Sequence, residues 1–290
     1  MTGAKHTSRN ASLSLGLRGV VLAVLFALTW RRALVYEDAE TIWRDTLRRN
    51  PDAFIASDNL GALLLARGEL GSATTLFENA LRAKPDHAEG LDNLGLVRQR
   101  QGRLDEAASY FRDALRCDPH FPNAHNNLGT LLAQQGRTAE ALEHFDQAAR
   151  LRPSFAKAQQ NRGIVLERLG RTSEAVDAYR EALRFDPGAR DVERRVAWIL
   201  ATDPDPRVRN GAEAVRLAQS ASLAVGDNDP HALDVLAAAF AESGRFDDAV
   251  RTAERALQLA GTSAAGGARD AAEARLALYR AGRPFRRLAE

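Results

Sequence analysis

The stretch NLGLVRQRQGRLDEAASYFRDALRCDP, Asn93 to Pro119, decides the architecture because it recurs. Asn-Leu-Gly stands at Asn59-Leu60-Gly61, Asn93-Leu94-Gly95 and Asn127-Leu128-Gly129, 34 residues apart each time. Asn161-Arg162-Gly163 keeps the register without the leucine. Downstream in step come a turn glycine (Gly68, Gly102, Gly136, Gly170) and a small residue (Ala73, Ala107, Ala141, Ala175). An aromatic (Phe77, Phe111, Phe145, Tyr179), a second alanine (Ala80, Ala114, Ala148, Ala182) and a proline (Pro85, Pro119, Pro153, Pro187) complete each copy. A fixed period of this length is the mark of stacked supersecondary units.

Each position has a steric reason. The first glycine and the two alanines remove bulk where two antiparallel helices cross, and the aromatic fills the gap to the next unit. The mid-unit glycine supplies the positive φ that ends the first helix. The proline cannot lie inside a helix and separates one unit from the next. No unit buries its apolar face alone, so stacking must supply a continuous core. The fold class expected is all-α, a solenoid of antiparallel helix pairs.

These residues resemble the tetratricopeptide repeat (TPR) family. The resemblance implies a right-handed superhelix whose first helices line a concave surface. Asn59, Asn93, Asn127 and Asn161 then form a ladder along that groove, beside Asp58, Asp92, Asn126 and Gln160. Amides offer both donor and acceptor to an extended main chain, so the ladder suits peptide recognition, as in the similar ladder of O-GlcNAc transferase repeats. The bland reading stands beside it: asparagine is common at this position and solvated. TPRs that clamp chaperone tails use Lys and Asn at set groove positions. Here Asp58, Asp92, Asn126 and Gln160 replace the lysine, and Ala62, Leu96, Thr130 and Ile164 replace the asparagine, so that clamp is missing.

The array continues on both sides of residues 54–189, which hold four full units. Upstream, residues 35–53 read as half a unit, with Ala39, Trp43 and Pro51 in register. Downstream, residues 190–261 read as two divergent units. The first carries five extra residues around Asp203-Pro204-Asp205-Pro206, which must be loop. Leu236, Ala237, Gly244, Ala249 and Ala256 mark the second. Residues 262–290 are expected to be a glycine-containing linker and a capping helix over Ala271–Tyr279, with an apolar stripe at Ala272, Leu276 and Tyr279.

Residues 1–12 form a basic tail and residues 13–34 a hydrophobic segment, with GVVLAVLFALTW from Gly19 to Trp30 unbroken and Arg18 near one end. A spanning helix needs about 20 apolar residues. The segment reads as an uncleaved membrane anchor; a signal peptide is the competing reading, but Trp30-Arg31-Arg32 gives no small-x-small cleavage site. Basic residues flank both sides, so charge does not orient it.

The junction TWRRALVYEDAETIWRDTLRRNP, with Trp198-Ile199-Leu200-Ala201-Thr202 and the Asp-Pro loop, is similar to a narrower group. It resembles the C-terminal TPR region of bacterial multi-pass membrane proteins related to the transmembrane TPR O-mannosyltransferases. That resemblance implies repeats on the extracytoplasmic side of the bacterial inner membrane, and the one hydrophobic segment makes a single pass the expectation. The multi-pass body that would carry glycosyl transfer is absent from this sequence.

Composition narrows the function. The 290 residues carry 40 basic and 38 acidic side chains, interspersed, so no basic stripe points to nucleic acid. Arg280, Arg283, Arg286 and Arg287 read as solvated helix-end charges, with an anionic membrane surface as the minor alternative. The single cysteine, Cys117, precludes an intrachain disulfide and reads as a small core residue. His6, His87, His120, His125, His144 and His231 read as surface residues. No phosphate loop, HExxH or CxxC occurs, and no catalytic residue, metal site or cofactor is expected. Two readings remain. One is a membrane-anchored scaffold that binds peptides or partner proteins in its groove; the other is the acceptor-recruiting arm of a membrane glycosyltransferase, its partner.

Overall fold

In the regular units a glycine ends the first helix and turns the chain. After Phe54–Ala66, Gly68 takes φ +82°, its N–H reaches Leu65 O at 3.0 Å and the Glu69 N–H reaches Leu64 O at 2.9 Å. These two bonds satisfy carbonyls the helix leaves open and reverse the chain within three residues. Gly102, Gly136, Gly170 and Gly244 repeat the conformation, with φ from 70° to 77°.

The computed structural model describes residues 38–224, 228–260 and 266–288. Among them it holds fourteen helices and no strand. They divide into two compact parts, one up to Pro119 and one from His120.

The first part contains α1 (Ala39–Arg49), α2 (Phe54–Ala66), α3 (Leu70–Ala83), α4 (Ala88–Arg100) and α5 (Leu104–Cys117). Asp38 caps α1 by accepting from the Thr41 N–H at 2.7 Å. Trp43 and Leu47 of α1 pack on a core of Leu60, Leu64, Leu65, Ala73, Phe77, Leu94 and Val97. Helices α2 and α3 form one hairpin, α4 and α5 the next, and α3 joins them by packing on α4. Phe77 therefore serves both units. Its ring lies against its own unit's Gly61, where a Cβ would sit 2.7 Å from Cε1, and it also reaches the Leu94 and Val97 cluster. The sequence assigns the aromatic only the second of these tasks.

The second part contains α6 (Pro122–Gln134), α7 (Thr138–Leu151), α8 (Ala156–Arg168) and α9 (Thr172–Phe185). It continues with α10 (Arg190–Thr202), α11 (Gly211–Ala224), α12 (Pro230–Glu242), α13 (Phe246–Ala260) and α14 (Gly266–Arg280). Residues 203–210 lie outside helices between α10 and α11. Arg209 braces this loop by donating to the carbonyls of Asp203 and Pro204, at 2.8 and 2.9 Å. In α10 to α13 the packing rule changes. Ala197 and Ala237 replace the glycine, and Ala218 and Ala253 replace the aromatic; all four are buried. Two methyl groups stand where the other units place a hydrogen and an aromatic ring, so less side-chain volume fills the crossing at these two positions.

α14 covers α13 and turns Leu276 and Tyr279 inward, with Ala272 half-buried. It begins at Gly266, five residues before the start predicted from the sequence, because its first turn runs through the glycines themselves. Arg275 fixes the helix by donating from Nε and Nη2 to the two Asp234 carboxylate oxygens, at 3.0 and 2.7 Å.

Cys117 does not join the core. It is the last residue of α5 and is exposed. The buried stripe of that helix ends at Ala114, and the repeat-equivalent Phe185 is likewise 39% exposed at the rim of its unit. The predicted membrane segment, residues 13–34, lies outside the described residues. Among the described residues no helix is long and apolar enough to cross a membrane.

Candidate peptide-binding face

The asparagine row sits on the first helix of each pair: Asn59 on α2, Asn93 on α4, Asn127 on α6 and Asn161 on α8. Each lies two residues before the close-packing glycine, so burying that glycine against its aromatic fixes the angular position of the amide. Asn59 is exposed, while Asn93, Asn127 and Asn161 are half-buried. In the neighbouring row Asp58, Asp92 and Asn126 are buried, and Gln160 is half-buried.

The rows are stitched together. In the first part, Asn93 Nδ2 donates to Asp58 Oδ1 at 3.1 Å. In the second, Asn161 Nδ2 donates to Asn126 Oδ1 at 2.9 Å and to Thr130 Oγ1 at 3.3 Å, while Asn126 Nδ2 donates to Asn127 Oδ1 at 3.3 Å. The asparagine of one unit thus ties to the residue preceding the asparagine of the unit before it. Part of the amide capacity that sequence reasoning gives to a ligand is spent on register between units. The signal was in the sequence as a 35-residue offset between complementary side chains, such as Asp58 and Asn93.

Asp58 carries a second partner. His87, in the turn before α4, places Nε2 3.7 Å from Asp58 Oδ2 and stacks edge-on against Phe54, with ring centroids 5.2 Å apart. Burial pushes the Asp58 carboxyl above the usual carboxylate range, outweighing the Asn93 hydrogen bond and the His87 charge that pull it down. One ligand atom each from Asp58, His87 and Glu89 lie within 4.8 Å of one another, a set that could hold a divalent cation with water completing its shell.

The surface reading of the histidines therefore fails for His87, whose side chain is only 12% exposed. It fails too for His125 and His144, whose Nδ1 atoms lie 3.0 Å apart in a part-buried contact. Nor are the arginines at the C-terminal end simply solvated. Arg286 and Arg287 are half-buried and form ion pairs with Glu242, Asp203 and Glu167.

A family model described as tetratricopeptide repeat matches residues 31–88, 59–122, 93–154 and 126–190, and a second of the same description matches 232–264. Among solved structures, pilF of Pseudomonas aeruginosa aligns with a TM-score of 0.62 and 22% identity, over 73% of this chain and 94% of that chain. The APC/C hetero-tetramer Cut9–Hcn1 aligns with a TM-score of 0.60 and 14% identity, over 83% of this chain and 46% of that one. At these identities the likeness is one of fold. Comparison with curated proteins yields no match.

Proposed function

The chain belongs to the tetratricopeptide repeat family, and from that premise we propose that it is a scaffold that binds an extended peptide or a partner protein along the face carrying the asparagine row. The observation that carries this reading is the contrast between adjacent rows within each part: Asn59 and Asn93 in the first, and Asn127 and Asn161 in the second, reach the surface, while Asp58, Asp92 and Asn126 next to them in sequence are buried. Each amide offers both a donor and an acceptor, as the main chain of an extended peptide does. The role is binding without catalysis. Cut9 was solved in a protein assembly with Hcn1, an association in keeping with a scaffold role here.

Anchoring through residues 13–34 in the bacterial inner membrane, with the repeats extracytoplasmic, rests on the apolar run Gly19–Trp30 and the junction that follows it. The alternative reading, recruitment of acceptors to a separate membrane glycosyltransferase, rests on the resemblance of that junction and of Trp198–Thr202 to the O-mannosyltransferase relatives.

A crosslinking pull-down tests the scaffold reading by comparing the intact chain with Asn59→Ala, which leaves the Asn93–Asp58 hydrogen bond in place. Partner recovery is expected to drop with the melting temperature little changed. Undiminished recovery by the folded variant would remove the asparagine face from the reading.

A further inference from the structure

Two guanidinium groups close the ends of first helices in the same way. Arg100 of α4 donates to the Leu65 carbonyl at the end of α2, and Arg168 Nη1 of α8 donates to the Ala133 carbonyl of α6 at 3.2 Å. Both partners are 35 residues apart. These are last-turn carbonyls that the helix ladder leaves open, and each also accepts from its turn glycine, Gly68 N–H to Leu65 O at 3.0 Å and Gly136 N–H to Ala133 O at 3.3 Å. At the end of α10 the corresponding acceptor is the Ala201 carbonyl. Arg100 and Arg168 stand two residues before their turn glycines; the residue two before Gly244 is Glu242, which cannot donate.

Arg286 fills the gap. Its Nη1 donates to the Ala201 carbonyl at 3.3 Å, and its Nη2 lies 2.6 Å from Glu242 Oε2. The next residue continues the pattern. The Arg287 N–H donates to the Thr202 carbonyl at 2.9 Å, and its guanidinium pairs with buried Asp203 and lies 3.8 Å from Glu167 Oε1. Phe285 lies 5.9 Å, centroid to centroid, from Trp198 of α10. Residues 283–288 form no helix. They sit on the ends of α8, α10 and α12 as an extended ligand would, held by one main-chain hydrogen bond, two charged anchors and one aromatic.

We propose that the surface bearing Glu167, Asp203 and Glu242, the first and last of which also pair with Arg195 and Arg209, is a binding site for an extended segment of a partner protein carrying an aromatic residue followed by two arginines, and that Phe285-Arg286-Arg287 occupies it in cis until such a segment displaces it. No residue of the asparagine row takes part, so the site stands or falls apart from the face proposed above. Two features favour exchange. The tail has no helix of its own, one main-chain hydrogen bond joins it to Thr202, and its two arginines remain partly exposed. Beside the tail opens a cleft of about 1210 Å³, bordered by Leu169, Val208 and Leu288, with Leu288 89% exposed.

The probe is a fluorescent peptide of the tail's own sequence, RPFRRL, whose binding is followed by anisotropy. Three chains are compared: intact, ending at Gly282, and full-length with Arg286→Ala/Arg287→Ala. The shortened and doubly substituted chains are expected to bind the peptide at least about ten-fold more tightly than the intact one, with affinity falling as salt rises. Asp203→Asn/Glu242→Gln added to the doubly substituted chain is expected to abolish the gain. Equal binding by the intact and doubly substituted chains, both retaining native helical circular dichroism, would overturn the proposal; so would a gain that survives loss of the two acidic anchors. If the shortened chain does not fold, the doubly substituted full-length chain decides the matter alone.

Discussion

Gly95 and Phe111 are packed so closely that a Cβ on the glycine would lie 2.5 Å from the ring's Cε1. Phe111 is fully buried and cannot retreat. Gly95→Ala is therefore expected to cost about 1–3 kcal/mol, the range for overpacking a filled core, read from urea unfolding. The chain contains its own remedy: its last two units hold Ala197 with Ala218 and Ala237 with Ala253 at the equivalent places. Gly95→Ala/Phe111→Ala is accordingly expected to cost less than the two single changes together. Strict additivity would deny that these two positions share one space.

Gly102 tests a different constraint at the other end of the same helix. No atom lies within 4 Å of its added Cβ, yet its φ is +76°. Gly102→Ala should cost about 1–2 kcal/mol through backbone conformation alone, and Gly102→Asn less, since asparagine tolerates this region better than alanine. An alanine variant as stable as the parent would mean that the turn relaxes to negative φ at no cost.

The two glycines show why so much of the fold was legible in advance. A missing side chain and a positive φ are demands that few residues meet, so they leave fixed marks at a fixed interval. The helix pairs, the turns and the loop at residues 203–210 follow from such marks. The site was less legible. The row carrying Asn93 can be read from periodicity, but its tie to Asp58 joins two units, and each residue alone is an ordinary polar surface choice. His87 gave no signal, because its burial depends on Phe54 and Asp58 meeting it from another helix. The C-terminal arginines were misread for the same reason: Glu242 and Asp203 lie more than forty residues away in sequence. Cys117 was misplaced because a repeat register does not say which turn is the last.

Asp58 makes stability depend on pH in a stated direction. Its folded-state value lies above the ordinary 3.8, burial being the largest cause. The folded chain thus holds this proton more tightly than the unfolded one. The contribution is fully present below the unfolded value and is lost as pH rises through the folded one. Asp58→Asn stays neutral and keeps an Oδ1 acceptor for Asn93, so it is expected to gain stability relative to the parent between about pH 4 and about pH 8. Urea midpoints at the two ends measure this, and parallel pH profiles for parent and variant would exclude it.

One substitution at two tyrosines should act with opposite sign. Tyr179 and Tyr279 are both almost fully buried. The Tyr179 hydroxyl donates to Glu167 Oε2 at 3.1 Å, whereas the Tyr279 hydroxyl has no hydrogen-bond partner among the described residues. Burial raises the ionisation of both above the usual tyrosine value, so each stays protonated throughout the neutral range. Tyr179→Phe removes a hydrogen bond to a charged acceptor and should cost about 1.5–3 kcal/mol. Arg195, 2.7 Å from the same oxygen, holds the glutamate in place and favours the lower end. Tyr279→Phe keeps the ring and removes a buried hydroxyl that gains nothing from the fold, so it should leave stability unchanged or raise it by up to about 1 kcal/mol. Thermal unfolding of the two variants side by side measures the contrast. A loss at residue 279 equal to that at 179 would show that the hydroxyl under the α14 cap has found a partner.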